Sequence, residues 1–303
     1  MIDNIDYKLN CKDCALEYIT QTGGYIQSNW VLPDGSIKIY PIKKKDKNVE
    51  IKVTENKAMI SNSLHKYFNI YRYGQYGEHN YNDFNFFDVQ ESLDLLQNSF
   101  LNLDLNDGMI SSLEFGFNLI TEKPPKYYLD YNFLLYKHKA PVINKGTNSM
   151  NYKKFEHCNI AFKVYDKKTQ YSLSQNVLRI EIVFKSRELQ KLGISYLSDL
   201  RKRESFIILF DNFMRHFEGF TIVDNRYENQ DFEKKFIDDL GNRLEPSYWK
   251  IHRGKTNINR LKNRLRDIIV ENKLNNTELY FEKLIKDKFQ ELFYCENLHI
   301  NVC

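Results

Sequence analysis

Three segments, 113–119, 160–167 and 178–185, alternate apolar with polar residues, and this pattern limits the fold more than any other feature of the chain. Successive side chains of a strand point to opposite faces, so clean alternation gives one face to a core and leaves the other for something else. In the first segment Leu113, Phe115, Phe117 and Leu119 oppose Glu114, Gly116 and Asn118. In the second, Ile160, Phe162 and Val164 oppose Lys163, Tyr165 and Lys167; in the third, Leu178, Ile180, Ile182 and Phe184 oppose Arg179, Glu181 and Lys185. If the apolar faces share one core, the other face of the sheet gathers two carboxylates, a tyrosine and several cations. That set suits metal-assisted phosphoryl transfer. Carboxylates hold Mg²⁺ or Mn²⁺ through oxygen, a tyrosine hydroxyl attacks phosphorus, and Lys or Arg favours the phenolate and neutralises developing charge. A half-exposed sheet with cross-strand ion pairs shows the same alternation without any chemistry.

The rest of the chain predicts an α+β fold. Strands are expected at 25–27, 31–32, 36–42, 49–54 and 59–64, with a turn at Pro33-Asp34-Gly35 and a basic tip formed by Lys43, Lys44, Lys45, Asp46 and Lys47. Residues 69–85, rich in Tyr, Asn and Gly, read as an irregular loop. Asp88 and Glu91 have capping-box spacing, and Val89, Leu93, Leu96 and Phe100 give the following helix, 88–101, an apolar face. Asn106-Asp107-Gly108 is a turn before a strand at 109–121. Strand, helix and strand in succession suggest half of a split β-α-β unit. A Tyr/Lys-rich excursion at 126–152 precedes strands 159–166 and 177–185 and a helical pattern from 194 to 217. Beyond Gly219 helices are expected at 229–240, from Pro246 through Trp249, at 256–273 and at 277–294. The expected division is an α+β domain at 1–220 and a helical, basic region at 221–303.

The 303 residues carry 44 Lys+Arg against 40 Asp+Glu, with 42% hydrophobic and 28% charged residues, which excludes a disordered or collagenous chain. No apolar run nears the ~18 residues of a membrane span, and MIDNIDYKLN lacks a signal-peptide layout. A soluble, cytoplasmic protein is expected. Five cysteines are an odd set, so no disulfide framework is expected, and Cys11-x-x-Cys14, with no second pair, reads as ordinary thiols.

The segments FKVYDKKTQ (162–170), VLRIEIVFKSREL (177–189) and GISYLSDL (193–200) resemble the core of rolling-circle replication initiators, the trans-acting plasmid Rep and filamentous-phage gene-II-like family. ISNSLHKYFN (60–69), HNYNDF (79–84) and SSLEFGFNLI (111–120) support the resemblance, which covers about residues 1–220 and extends more weakly through PSYW (246–249). The resemblance implies an antiparallel sheet with a nickase-like split β-α-β core backed by helices. It also implies a metal-dependent endonuclease that nicks an origin strand and stays joined through tyrosine to the 5′ phosphate, leaving a 3′ hydroxyl to prime replication. Carried over, Glu114 and Glu181 match the strand acids and Arg179 the adjacent basic position. Tyr165 is the first choice of nucleophile, with Tyr171 and Tyr152 as alternatives, and Lys163 and Lys167 face phosphate. His65 is a further candidate for the Mg²⁺ or Mn²⁺ shell, or a histidine hydrogen-bonded in the sheet.

Two departures stand out. The His-hydrophobic-His triplet of the broader nickase superfamily is absent, as it is from the trans-acting branch, and Asn118 stands where many relatives carry a carboxylate. The amide keeps a catalytically inactive origin-binding or regulatory protein open as an alternative, beside a conjugative relaxase with the same chemistry. From Lys250 to Lys273 eight Lys/Arg face only Asp267 and Glu271, while Leu261, Leu265, Ile268 and Ile269 keep an apolar stripe. Arg260, Lys262 and Arg266 are therefore expected to touch DNA phosphates, with Lys43, Lys44 and Lys45 as a second basic group. Expected partners are origin DNA, duplex and single-stranded, a host helicase and a second copy of the chain, with no membrane.

Overall fold

The structure, a computed structural model, describes residues 1–100, 103–142, 151–225 and 232–294. It is α+β, with a large antiparallel sheet and a helical C-terminal region. The strands are β1 (Ile2–Leu9), β2 (Tyr25–Gln27), β3 (Trp30–Val31), β4 (Ile37–Lys38), β5 (Ile42–Asp46), β6 (Val49–Val53), β7 (Ala58–Ser63), β8 (Met109–Ile120), β9 (Phe133–Tyr136), β10 (Tyr152–His157), β11 (Ile160–Asp166), β12 (Val177–Lys185) and β13 (Phe220–Ile222). Nine of them form one sheet in the order β10-β11-β12-β8-β1-β7-β6-β5-β2. By compactness the chain divides into two units, one of Met1–Gly116, Ile182–Phe210 and Gln290–Cys303, the other of Phe117–Glu181 and Asp211–Phe289.

In the first unit β1 pairs antiparallel with β7 on one side and β8 on the other, so β7 and β8 run parallel. Between them in sequence come α2 (Leu64–Tyr73) and α3 (Phe86–Ser99). The Ser63 hydroxyl accepts from Lys66 N to start α2, which buries Leu64, Tyr67 and Phe68 along one face and ends at Gly74 with φ 62°. This helix replaces the expected continuation of a strand to residue 64 and of a loop from 69. For α3 the cap is Asn85 and its reciprocal partner is Asp88, one turn earlier than the Asp88–Glu91 spacing suggested. Its buried Val89, Leu93 and Leu96 form the expected face, and Phe86 meets the rings of Phe206 and Phe293 edge-on at 5.0 and 5.7 Å.

Local chemistry explains the other differences. The expected strand 36–42 is broken into β4 and β5 because Pro41, after a cis peptide bond, has no N–H to give a ladder. Lys43, Lys44 and Lys45 consequently lie in β5, paired with β6, and the turn falls at Lys47, where φ is 52°. Helix α1 (Lys12–Thr22) starts on Cys11, whose sulfur accepts from Cys14 N, and the two cysteines are joined in a disulfide, contrary to the expectation of ordinary thiols. Cys158 is free and exposed. The helical stretch expected at 194–217 is a 3₁₀ turn at Leu197–Arg201 followed by α7 (Arg203–Phe217), and α6 (Ser186–Lys191) precedes it.

In the second unit β10 and β11 pair antiparallel with Tyr152 opposite Tyr165. Asp166 caps α5 (Lys167–Tyr171) through Thr169 N, so Tyr171 ends a short helix. Phe162 packs against Tyr136, Phe213 and Phe220 with ring centroids 4.9–5.5 Å apart. After α4 (Pro125–Tyr131), the C-terminal region follows as α8 (Lys234–Leu244), α9 (Pro246–His252), α10 (Ile258–Glu271) and α11 (Asn276–Tyr294). Leu240, Leu244, Trp249, Leu265, Ile268 and Ile269 pack there with Leu135 of β9 in one apolar cluster. The expected helix start at 229, residue 101 and residues 143–150 of the Tyr/Lys-rich excursion lie outside the described residues. Among the described residues no helix is long and apolar enough to cross a membrane.

Candidate active site

The second unit holds a buried polar cluster around Glu181. Glu181 projects from β12 into surroundings where only 1% of it is exposed. Its Oε2 accepts from Arg179 Nε at 2.6 Å and from the Tyr165 hydroxyl at 3.2 Å, and its Oε1 faces Lys163 Nζ at 3.2 Å. Arg179, equally buried, donates through Nη1 to Asn118 Oδ1 at 3.0 Å. The polar faces read from alternation in β8, β11 and β12 thus meet side chain to side chain. Burial strengthens these contacts, because a charge taken out of water is tolerated only when paired and hydrogen-bonded.

Asn118 finds a physical role here. As an amide it accepts from Arg179 without adding a charge to a buried cluster that already contains Glu181. Lys167 leaves the strand alternation to become the first residue of α5, and its buried ammonium lies 4.9 Å from the Tyr165 ring centroid and 5.0 Å from that of Tyr171. The ring of Tyr152 is 5.8 Å from that of Tyr165. All three tyrosines singled out in the sequence therefore sit in one neighbourhood, and Tyr165 is the one hydrogen-bonded to the acid.

The first unit holds Asp3 of β1 and Glu114 of β8. Glu114 Oε2 accepts from Asn4 Nδ2 at 2.6 Å, while Asp3 accepts from the Ser63 hydroxyl and, at 2.5 Å, from Asn80 Nδ2. Asp3 and Glu114 in the first unit, and Glu181 in the second, are buried carboxylates, and groups of this kind can hold a metal ion. Asp3 escaped sequence reasoning. It shares odd-number parity with Ile5, Tyr7 and Leu9, which would put it in the core, but the β1–β8 register shifts between Ile2 and Ile5. Such an irregularity re-aims a side chain, and alternation carries no trace of it.

His65 is not one of the three. It sits in the first turn of α2, stacked on Phe84 at 4.5 Å, with Nε2 2.9 Å from Asn82 Oδ1. That oxygen also accepts from Asn69 Nδ2 at 2.8 Å. The basic groups fall in different units. Lys43 pairs with Glu50 at 3.5 Å, Lys44 donates to Gly23 O at 2.9 Å, and Lys45 is exposed. Arg260 and Arg266 are exposed on α10 and Lys262 is half-buried. Comparison of the chain with protein-family models, with curated proteins and with solved structures found no match.

Proposed function

We propose that this protein nicks and rejoins one strand of DNA through Tyr165, as an initiator of rolling-circle replication on a plasmid, phage or other mobile element. The observation that carries the reading is the Tyr165 hydroxyl, 3.2 Å from Glu181 Oε2, with Lys163 on the other oxygen of the same carboxylate. In the nicking step Tyr165 Oη bonds to phosphorus as the bond from phosphorus to the 3′ oxygen breaks. Glu181, which already accepts from Oη, takes the tyrosine proton and passes it through water to the departing 3′ oxygen, so no proton is gained or lost. The tyrosine is left esterified to the 5′ phosphate. Joining is the reverse, with a 3′ hydroxyl attacking and the tyrosine leaving. Lys163 and Lys167 favour the phenolate by their charge.

The donor set fits Mg²⁺ or Mn²⁺. The candidate donors are carboxylate oxygens, the type these hard ions prefer. Three donors occupy Glu181, of roughly four lone-pair sites on a carboxylate, which leaves one for the ion. When bound, the metal would supply Lewis-acid polarisation of the scissile phosphate. The reading draws support from β7 and β8, which run parallel with β1 between them and are linked through α2 and α3, an arrangement that a split β-α-β unit would require. Asn118, an amide within hydrogen-bond reach of Arg179 where a further acid is expected, favours as second reading an origin-binding protein without nuclease activity.

The test incubates the protein with supercoiled DNA of the element that carries its gene, with Mg²⁺ or Mn²⁺. Relaxed circles bearing covalently attached protein are expected from the parent and none from Tyr165→Phe, with DNA binding retained. An adduct still formed by Tyr165→Phe refutes the nucleophile, and mapping of the modified peptide then decides between Tyr171 and Tyr152. Binding without nicking by the parent selects the second reading.

A further inference from the structure

The second unit contains a cleft of about 880 Å³ that the nicking chemistry does not use. It is walled by the turn after β9, by β13, by α9 and by α10. Six cations line it, Lys137, Lys139, Lys250, Arg253, Lys262 and Arg266, against two carboxylates, Glu218 and Glu278. Among the described residues the side chains of Lys139, Lys250, Arg253 and Lys262 enter no ion pair within 4.0 Å. Cations left unneutralised around one cavity set up a field that favours an anion. The floor is apolar, with Trp249, Leu265 and Ile269.

A second observation comes from the turn at the rim. Tyr136 and Lys139 exchange backbone hydrogen bonds of 2.9 and 3.0 Å across Lys137 and His138, which have φ of 46° and 62°. Both central residues of this tight turn are left-handed, where glycine or asparagine is the usual choice. An unfavourable backbone retained in this way commonly marks a binding site. The turn holds His138 stacked on Trp249 at 4.1 Å, and the buried His138 Nδ1 has no hydrogen-bond partner among the described residues. Burial, with Lys262 adding to it, holds the imidazole down at about 4, so the ring is neutral near pH 7 and serves as a flat polar surface.

We propose that this cleft binds a nucleotide, with its phosphate on the Lys/Arg wall and its base toward the His138–Trp249 side. The volume lies within the roughly 300–1,000 Å³ of small-ligand pockets, so inorganic phosphate alone would leave most of it unfilled. The nucleotide can be free or part of a single strand threaded through the cleft, since both present the same phosphate and base. The inference does not depend on the nicking reading, because it needs neither Tyr165 nor a metal.

The test reads the fluorescence of Trp249 in full-length protein carrying Trp30→Phe, which removes the other tryptophan, with EDTA present. The probes are sodium phosphate, ATP and a short oligothymidylate. Saturable quenching by ATP supports the cleft with a free nucleotide as its ligand, by the oligonucleotide alone with a strand segment, and phosphate should bind far more weakly than either. Lys262→Glu and, independently, the exposed Lys250→Glu should each weaken binding by about tenfold or more. Arg264→Glu makes the same charge change on α10 at a residue outside the cleft that pairs with Glu271 at 3.4 Å, and should shift affinity by no more than about twofold. No saturation by ATP or oligonucleotide below millimolar concentration overturns the proposal. So does phosphate binding as tightly as ATP, an Arg264→Glu loss equal to that of Lys262→Glu, or unchanged binding by both cleft variants.

Discussion

Replacing Glu181 by glutamine should unfold the protein more readily before it says anything about metal binding. The substitution keeps the size of the side chain and one acceptor oxygen but removes the charge that faces Arg179 at 2.6 Å and Lys163 at 3.2 Å. The side chains of Glu181 and Arg179 are 1% and 3% exposed, so water cannot take over the lost partner. Breaking such a buried pair by removing one member costs about 3–5 kcal/mol. Arg179 keeps its bond to Asn118, which argues for the low end, about 3 kcal/mol. For a unit of this size each kcal/mol lowers Tm by roughly 2–4 °C, so a fall of roughly 6–12 °C is expected. The check is a double-mutant cycle in urea with Glu181→Gln, Arg179→Met and both together. The combined variant should be less destabilised than the two single losses added, by about 1–3 kcal/mol, because it leaves no stranded charge. A Glu181→Gln protein within about 1 kcal/mol of the parent, or strict additivity in the cycle, would show that Arg179 does not depend on this carboxylate.

Asp224 accepts from Thr277 N at 2.9 Å and from Asn276 Nδ2 at 2.8 Å at the start of α11. Burial pushes its carboxyl up, but the hydrogen bonds from Thr277 and Asn276 outweigh it and hold the group below its ordinary value. Its charged form therefore stabilises the fold above the unfolded value of about 3.9, and this contribution is lost as pH falls through the lower folded value. Asp224→Asn should show a smaller loss of urea midpoint than the parent between roughly pH 5 and 3, and equal losses would dismiss the linkage. Gly77 is a packing case: a Cβ there would lie 2.2 Å from the carbonyl carbon and oxygen of Asn69. Gly77→Ala should cost about 1–3 kcal/mol or more, and an unchanged thermal midpoint would count against the close approach of these two backbones.

How far the sequence could be read depended on the range over which each signal acts. Two-residue alternation is local and survives wherever a strand is regular, so the faces of β8, β11 and β12, and with them Glu114, Tyr165 and Glu181, were visible in advance. Asp3 was hidden because the shift in β1 is set by the partner strand. The 64–73 helix was missed because Tyr and Asn are poor helix formers and the run looked like loop, although Ser63 followed by Leu64, Tyr67 and Phe68 carries a cap and one apolar face. Lys43–Lys45 were read as a tip from composition alone, whereas pairing with β6 places them in a strand. The division of Glu181 between Arg179, Lys163 and Tyr165 was out of reach, since a pattern gives faces but not partners.

The two compact units are woven from five stretches of chain, and each of the four crossings falls inside a regular element: after Gly116 in β8, after Glu181 in β12, after Phe210 in α7 and after Phe289 in α11. Neither unit thus corresponds to one continuous stretch of gene. A nonsense codon anywhere from residue 117 to residue 289 removes material from both units. A single recombination joint therefore cannot exchange one unit whole and leave the other intact.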